Sequence, residues 1–310
     1  KYNRVPGETP PGTVSKGGDG MRVLVIGSVT ADVVLQVPAL PQAGEDLNVT
    51  AWQMALGGCA CNVAYALGLF GVQADLCAPV GQGYYGEFVR RQLAQRGIAS
   101  LLPPAEGQNG CCYCLVDPSG ERSFLCCRGA EYRFRAEWLQ GLPAGYDAAY
   151  FCGLELEEPT GSLLLDYLEG AGIPQLYFAP GPRLRQIPPQ RLERAWQLRP
   201  RVHLNEQEAL AATGAPDWRR AAQALAQKTG REVLVTLGSR GAYVERGAGS
   251  FFKKASPAVV VDTIGAGDGH MGAWMAGLLQ GMEMEQAVEQ ANRYAAAVVS
   301  QAGAMPAAPW

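Results

Sequence analysis

One short stretch of this 310-residue chain has the residue types for chemistry within itself: Gly265-Ala-Gly-Asp268, set between the β-branched residues 259–261 and a run of small and apolar residues over 271–279. The pattern predicts a strand over 259–261, a tight turn and the start of a helix. Backbone N–H groups of Gly265, Ala266 and Gly267 would then face an oxyanion, because two of the three residues lack side-chain bulk and a helix leaves its first four donors unpaired. Asp268 fits less easily, since a carboxylate repels a phosphate bound at the same place. Either it caps the helix, as Asp commonly does, or it takes the proton from a hydroxyl that attacks phosphorus. An anion hole beside a base is the equipment of phosphoryl transfer.

Those groups need a scaffold, and strand and helix signals alternate along the chain. Residues 22–27 form an apolar run ending at Gly27, as in the central strand of a parallel sheet. Asp32 follows where open α/β sheets hold ligands, as a ligand contact or a loop cap. Residues 47–54 read as a strand, and Gly57-Gly-Cys-Ala-Cys-Asn62 opens a helix over 63–70. Gly57 and Gly58 admit a ligand close to the backbone, and Asn62 either reaches a ligand hydroxyl or caps its own turn. Residues 111–116 and 122–127 flank Asp117-Pro-Ser-Gly120 and predict a hairpin, which with 47–54 makes a small sheet standing off the main one.

Further strands are expected at 148–153, 175–178 and 201–204. Glu155, just beyond the first of these, is a ligand contact or a first-turn acid. Asn205 and Glu208 share one helix face, where they form a capping box or hold the water shell of Mg²⁺. Residues 232–244 read as strand, glycine turn, strand, with Thr236 and Gly238 at the carboxyl edge where a nucleotide passes. In the terminal helix, Asn292 precedes Ala295-Ala-Ala297, which admit a flat ring or pack against a neighbouring helix. Together these elements imply a doubly wound, mostly parallel sheet with right-handed crossovers.

Composition narrows the function. With 48% hydrophobic and 18% charged residues the chain is a core-forming protein of one large α/β domain or two smaller ones. A net charge of -3 without a Lys/Arg-rich run speaks against nucleic acid as a partner, and no apolar run approaches membrane-spanning length. Nine cysteines in an odd count suit a reducing cytosol; five of them crowd the hairpin (Cys111, Cys112, Cys114, Cys126, Cys127) with no His nearby, which disfavours zinc. Residues 1–20 are polar, rich in Gly and Pro, and lack a signal-peptide core, so they are set aside as an added leader or mobile arm ahead of Met21. Gly81-Gln-Gly83-Tyr-Tyr-Gly86 matches a dinucleotide fingerprint, which would make the protein an NAD-dependent dehydrogenase. It lies outside the first βα unit, however, and only Glu106 offers an acid about 20 residues on, so a turn into a helix over 87–96 is expected instead.

Taken together, Gly57-Gly58-x-x-x-Asn62, Asn205-x-x-Glu208, Thr236-Leu-Gly-x-x-Gly-Ala242 and Asp262-Thr-x-Gly-Ala-Gly-Asp268 stand in the order and approximate spacing of the ribokinase-like (PfkB) carbohydrate and nucleoside kinases. The chain resembles that family from residue 22 to 310. The resemblance implies a Rossmann-like α/β domain over 21–310 with a small β-sheet lid, from about 47–56 and 110–128, whose closure keeps water from ATP. It implies Asp268 as base, Gly265, Ala266 and Gly267 as anion hole, and Asp32, Gly57, Gly58, Asn62 and Glu155 as substrate contacts. Asn205, Thr236, Gly238, Gly241 and Asn292 would contact ATP, and Asn205 and Glu208 would hold Mg²⁺ through water. Asp262 and the Ile264 carbonyl match where ribokinases bind a monovalent cation such as K⁺.

Departures from the family pattern bear on the substrate. Ribokinases proper carry Lys where this chain has Cys59 and Asn where it has Thr30, which speaks against D-ribose. Phosphosugar kinases use arginines that would align near Asn109 and Phe124, and their absence points to an acceptor without phosphate. His270 stands where a small polar residue is usual. The expected protein is therefore a cytoplasmic, ATP- and Mg²⁺-dependent kinase acting on a primary hydroxyl of an unphosphorylated sugar or ribonucleoside, with a catalytically silent sensor on the same fold as an alternative. Trp52 and Tyr113 on the lid would stack a base or merely pack, and a free lid edge invites a homodimer.

Overall fold

The computed structural model describes residues 21–118, 122–247 and 249–306. The expected leader and the tip of the Asp117–Gly120 turn lie outside the described residues.

Among the described residues, twelve strands form two sheets: β1 (Val23–Ile26), β2 (Thr30–Gln36), β3 (Ala51–Gly57), β4 (Ala74–Cys77), β5 (Cys111–Val116), β6 (Arg122–Cys127), β7 (Ala148–Cys152), β8 (Gln175–Ala179), β9 (Arg201–Asn205), β10 (Val233–Thr236), β11 (Gly241–Glu245) and β12 (Ser250–Lys254). The larger sheet has the order β12-β11-β10-β9-β8-β7-β1-β4. Its strands from β10 to β4 run parallel, and β11 and β12 add an antiparallel edge. Continuous apolar strands such as β1 are buried on both faces, and alternation divides their side chains between two cores. Val23, Val25, Tyr150 and Tyr177 pack with the helices Cys59–Leu69, Ala266–Leu279 and Met284–Val299. Leu24, Ile26, Phe151 and Phe178 pack with Gly161–Gly170, Pro189–Gln197 and Trp218–Thr229. Trp274, fully buried and edge-on to Tyr177 with ring centres 5.9 Å apart, anchors the first layer; truncation to Ala there would cost about 3–5 kcal/mol.

The smaller sheet has the order β3-β2-β5-β6, with a parallel pairing of β2 to β5 at its centre. Only Gly27, Ser28 and Val29 separate β1 from β2, so the lid grows directly out of β1, the strand next to the β4 edge of the main sheet, and not out of a central strand as the apolar run suggested. One lid face, with Ala31, Val33 and Cys111, packs on Phe88 and Val89 of the helix Gly83–Gln95. On the other face Val34, Cys114 and Val116 meet Ile264.

Two expected strands change. Residues 47–50 stay outside the sheet and β3 runs on to Gly57, because its pairing is set by β2, where Asp32 lies opposite Ala55. Residues 259–261 form no strand: Val259, Val260 and Val261 are 80%, 65% and 57% exposed, and the segment touches the body through Val261 N–H, which donates to Val299 O at 2.7 Å. β-Branched residues favour extended backbone, but a strand also needs a partner. The dinucleotide-like glycines are a packing device. A Cβ on Gly81 would lie 2.6 Å from Asn109 N and one on Gly86 2.0 Å from Gly81 O, so the loop is filled by protein. No helix among the described residues is long and apolar enough to cross a membrane.

Candidate active site

Two helix starts meet at the carboxyl end of β1. Gly58, at φ +98°, begins Cys59–Leu69, and a Cβ there would lie 2.5 Å from the Ser28 carbonyl oxygen, so only glycine lets this helix abut the β1–β2 connection. Gly265, at φ +71°, begins Ala266–Leu279 with no side-chain cap, and a Cβ there would lie 2.3 Å from the Ala304 methyl. Early donors of an uncapped helix are available to an oxyanion. Of the three expected, Ala266 N–H is already directed at Thr263 O at 3.3 Å, because the chain turns through an αL glycine just before it. Asp268 follows on the first turn, partly exposed. Asn62, from the other helix and 206 residues away in sequence, donates through Nδ2 to Asp268 Oδ2 at 2.9 Å. Burial raises the Asp268 carboxyl above its ordinary value, and the Asn62 amide and the Cys59 thiol hold it back.

Around this pair lie polar groups with unspent capacity. Ser28 N–H donates to Glu155 Oε1 at 2.8 Å, whereas Glu155 Oε2, Asn62 Oδ1 and Ser28 Oγ are buried without a partner. Burial pushes Glu155 up to about 7. Asp32 is also pushed up to about 7, chiefly by burial, with the Thr30 hydroxyl at 3.0 Å pulling it back and the charges of Cys126, Asp268 and Asp262 adding to the rise. Gly57 leaves room for it, since a Cβ there would sit 2.0 Å from Asp32 Oδ2. Native interiors rarely leave buried acceptors idle, so a cluster of them is suited to a ligand rich in hydroxyls.

On the far side of Asp268, Asn205 and Glu208 form a capping box at the start of Glu206–Thr213: Glu208 N–H donates to Asn205 Oδ1 at 2.8 Å and Asn205 N–H to Glu208 Oε2 at 3.0 Å. Burial and the neighbouring Asp268 charge raise the Glu208 carboxyl. A cavity of about 340 Å³, lined by Pro182, Leu184, Arg185, Gln186, Asn205 and Glu208 among others, opens beside this helix start. Thr236 ends β10 with its hydroxyl 3.5 Å from Leu204 O, and Gly238 begins a single turn into β11. Gly241 is required by the sheet, since a Cβ there would lie 2.0 Å from the Lys253 carbonyl of β12.

Asn292 is engaged inside the protein at both ends of its amide, donating to Lys254 O at 2.9 Å and accepting from His270 Nε2 at 3.0 Å, which leaves the second Nδ2 hydrogen for a nucleotide. The same bonds account for His270. Its Nδ1 lies 2.9 Å from His203 Nε2, and burial lowers both imidazoles, His270 to about 4, so both are neutral. With Asn292 Oδ1 accepting from His270 Nε2–H, the remaining Nδ1 accepts from His203. The relay ties the anion-loop helix to β9, β12 and the terminal helix.

The lid contributes groups whose direction the sequence did not give, and one, Arg122, that it did not single out. Alternation puts Cys112, Phe124, Cys126 and Arg122 on the Asp32 face and Trp52 and Tyr113 on the opposite one, where the Tyr113 hydroxyl meets that of Tyr85 at 2.9 Å. Neither Trp52 nor Tyr113 therefore stacks a ligand over Asp32, whereas Phe124, 54% exposed, is on the correct face. Cys112 and Cys126 lie with sulfurs 3.5 Å apart, and no metal-binding group of three or more His, Cys, Asp or Glu occurs among the described residues. Arg122 reaches across to the anion loop, its Nη2 2.9 Å from Asp262 Oδ1 and its Nη1 donating to Thr263 Oγ1 at 2.7 Å. Period-two patterning carried this information, but only the β2–β5–β6 register converts it into a face.

Comparison with known proteins agrees with this geometry. The chain is 37% identical to YegV of Escherichia coli K12, described as an uncharacterized sugar kinase, over 91% of this chain and 89% of that one. It is 30% identical to an ATP-dependent ribose-1-phosphate kinase of Halopiger xanaduensis, covering 93% of this chain and 95% of that one. Its fold resembles that of a Burkholderia thailandensis nucleoside kinase solved in complex with inosine, at a TM-score of 0.78, 20% identity and 91% coverage of both chains. The family model described as pfkB family carbohydrate kinase matches residues 21–310. The match spans the strand, lid and anion-loop elements together, and the chain belongs to the pfkB family of carbohydrate kinases, phosphotransferases that act on an alcohol group.

Proposed function

We propose that the enzyme transfers the γ-phosphoryl group of ATP to a primary hydroxyl of an unphosphorylated sugar or ribonucleoside, with Asp268 as the base. The observation that carries this is the Asp268 carboxylate held by Asn62 at an uncapped helix start, with a carboxyl raised by burial. Asp268 accepts the hydroxyl proton as the oxygen attacks, and donors of the Gly265–Gly267 turn stabilise charge on the transferred group. Asp32, Glu155 and Asn62 orient the acceptor's hydroxyls, the idle Glu155 Oε2 and Asn62 Oδ1 taking up its O–H groups. Thr236 and Gly238 border the nucleotide, and lid closure excludes water.

Asn205 and Glu208 fit Mg²⁺ through its water shell, because the capping box uses one oxygen of Glu208 and a second acid, Asp268, stands nearby. When bound, Mg²⁺ supplies positive charge that neutralises the phosphate oxygens.

The polar groups around Asp268 speak against a phosphorylated acceptor. Those named are acids and amides, while Arg122 is engaged by Asp262 and Arg128 by Glu157 and Glu158. A flat-ringed acceptor is favoured by one observation, the exposed Phe124 on the Asp32 face. Neither the dehydrogenase nor the silent sensor gains support from the relatives. The nine free thiols suit a reducing cytoplasm, and pairing of exposed lid edges would make a homodimer, which light scattering tests.

The deciding experiment measures ATP consumption with a panel of sugars, phosphosugars and nucleosides, for the natural chain and Asp268→Asn. Turnover with one unphosphorylated acceptor that vanishes in the variant is the expected result. A variant as active as the natural chain defeats the assignment of the base, and turnover restricted to phosphosugars defeats that of the acceptor.

A further inference from the structure

The Asp262 loop has been filled from the lid. Asp262 is buried, and both of its carboxylate oxygens are occupied: Oδ1 accepts from Ile264 N–H at 2.7 Å and lies 2.9 Å from Arg122 Nη2, while Oδ2 accepts from Gly303 N–H at 3.0 Å. The Arg122 fork spans Asp262 and Thr263, with both ionic side chains largely shielded from water (13% and 8% exposed) and the Arg122 Nε itself buried without a partner. Desolvated charge pairs of this geometry are strong and directional.

These residues do not fit a monovalent cation. An ion near Asp262 Oδ1 would compete with a full positive charge already within hydrogen-bond distance of that oxygen, in a place where water screens little. We propose that the Arg122 guanidinium, delivered by β6 of the lid, stands in for the monovalent cation at the Asp262 loop, so that the enzyme needs no K⁺ or Na⁺ and the anion loop takes its working shape only with the lid in place.

The connection runs through few bonds. Thr263, which receives Arg122 on its hydroxyl, offers its carbonyl to Ala266 N–H, and Asp262 binds the Gly303 backbone beside Ala304, on which Gly265 rests. Arg122 is thus a positioning residue for the anion loop and does not itself touch the reacting atoms. Because β6 is an edge strand, withdrawing the lid would pull the charge away from Asp262.

The test follows melting temperature of the full chain in KCl, NaCl and N-methylglucamine chloride at equal ionic strength, for the natural protein, Arg122→Met and Arg122→Lys. The natural protein should melt at the same temperature in all three salts, and Arg122→Met should melt lower and recover selectively in KCl or NaCl, since a ligand for the folded state raises its stability. Arg122→Lys keeps a charge and should stay indifferent. Selective stabilisation of the natural protein by an alkali cation overturns the proposal, as does an Arg122→Met variant equally indifferent to salt. Should Arg122→Met fail to fold, the natural protein and Arg122→Lys decide, cation selectivity in either overturning it. These measurements stand apart from the kinase assignment. Where an acceptor is turned over, Arg122→Met should also lose about tenfold in rate in N-methylglucamine, regained in KCl, and a loss that KCl does not repair counts against the substitution.

Discussion

Asp268 and His270 stand two residues apart on one helix and face opposite environments. The His270 side is closed: His203, His270, Asn292 and the Lys254 carbonyl form an unbroken chain of hydrogen bonds, and neither ring carries a charge. Around Asp268 capacity is left over, in Asn62 Oδ1, Glu155 Oε2 and Ser28 Oγ, and in carboxyls pushed above their usual range by burial. The same helix is stabilised on one face and left incomplete on the other. A satisfied polar network rigidifies its surroundings, and an unsatisfied one is costly unless something arrives to complete it. The contrast separates positioning from chemistry within a span of three residues.

That contrast can be broken most decisively at Asp268. Asp268→Asn should lower turnover by roughly 10²–10⁴-fold while leaving the melting temperature unchanged or higher, because it removes a partly buried charge and keeps the shape. Loss of stability on that scale would make Asp268 a structural residue. His270→Leu should do the reverse, costing about 2–4 kcal/mol in denaturant unfolding as His203 and Asn292 lose their partner, with turnover of the surviving folded enzyme changed only a few-fold.

Acidity sharpens the comparison. Asp32 and Glu155 rise from ordinary values of 3.8 and 4.5 to about 7, so the folded state holds more protons than the unfolded one between those limits. Stability of the ligand-free enzyme is therefore greatest below about pH 4 as far as these two groups are concerned, and falls as pH rises from there to about 7, by at most roughly 8 kcal/mol for the two together. Unfolding curves at pH 5.5 and pH 8 should show the drop, and Asp32→Asn should flatten it; a profile rising with pH that the variant leaves intact would remove these carboxyls from the account. The smallest effect is expected at Asn62. Its amide holds the Asp268 carboxyl down, so Asn62→Ala should move the acid limb of the pH–rate profile upward by about one unit, and an unmoved limb would leave Asn62 a substrate contact alone.

Much of the scaffold was legible because it is built from local signals. β1, β5, β6 and β7 are β-branched or apolar runs between turn residues, and each forms within a residue or so of where the pattern puts it. β3 and residues 259–261 fail for one shared reason: strand pairing is decided by a partner distant in sequence, and for 259–261 there is none. The site divides in the same way. Gly265 to Asp268 announce themselves within four residues, and the Asn205–Glu208 spacing was visible both as a cap and as a cation holder. The direction in which Arg122, Phe124 and Cys126 point was hidden, because it follows from a register between β2, β5 and β6 that spans more than 70 residues. The Asn62–Asp268 bond, across 206 residues, left no local trace.

The parallel pairing of β2 with β5 also bears on how the molecule assembles. Three separate stretches of chain, 30–36, 51–57 and 111–127, must converge before the lid sheet exists, and its first strand continues from β1, whose partners β4 and β7 lie before and after the hairpin in sequence. Such non-local closure is slow, since long loops lose entropy before the contacts reward it. The lid is thus no separable module: excised from the chain it would lack β1, from which it grows, and its closure during synthesis must wait until the ribosome has released residue 127, well after β1 and β4 of the main sheet.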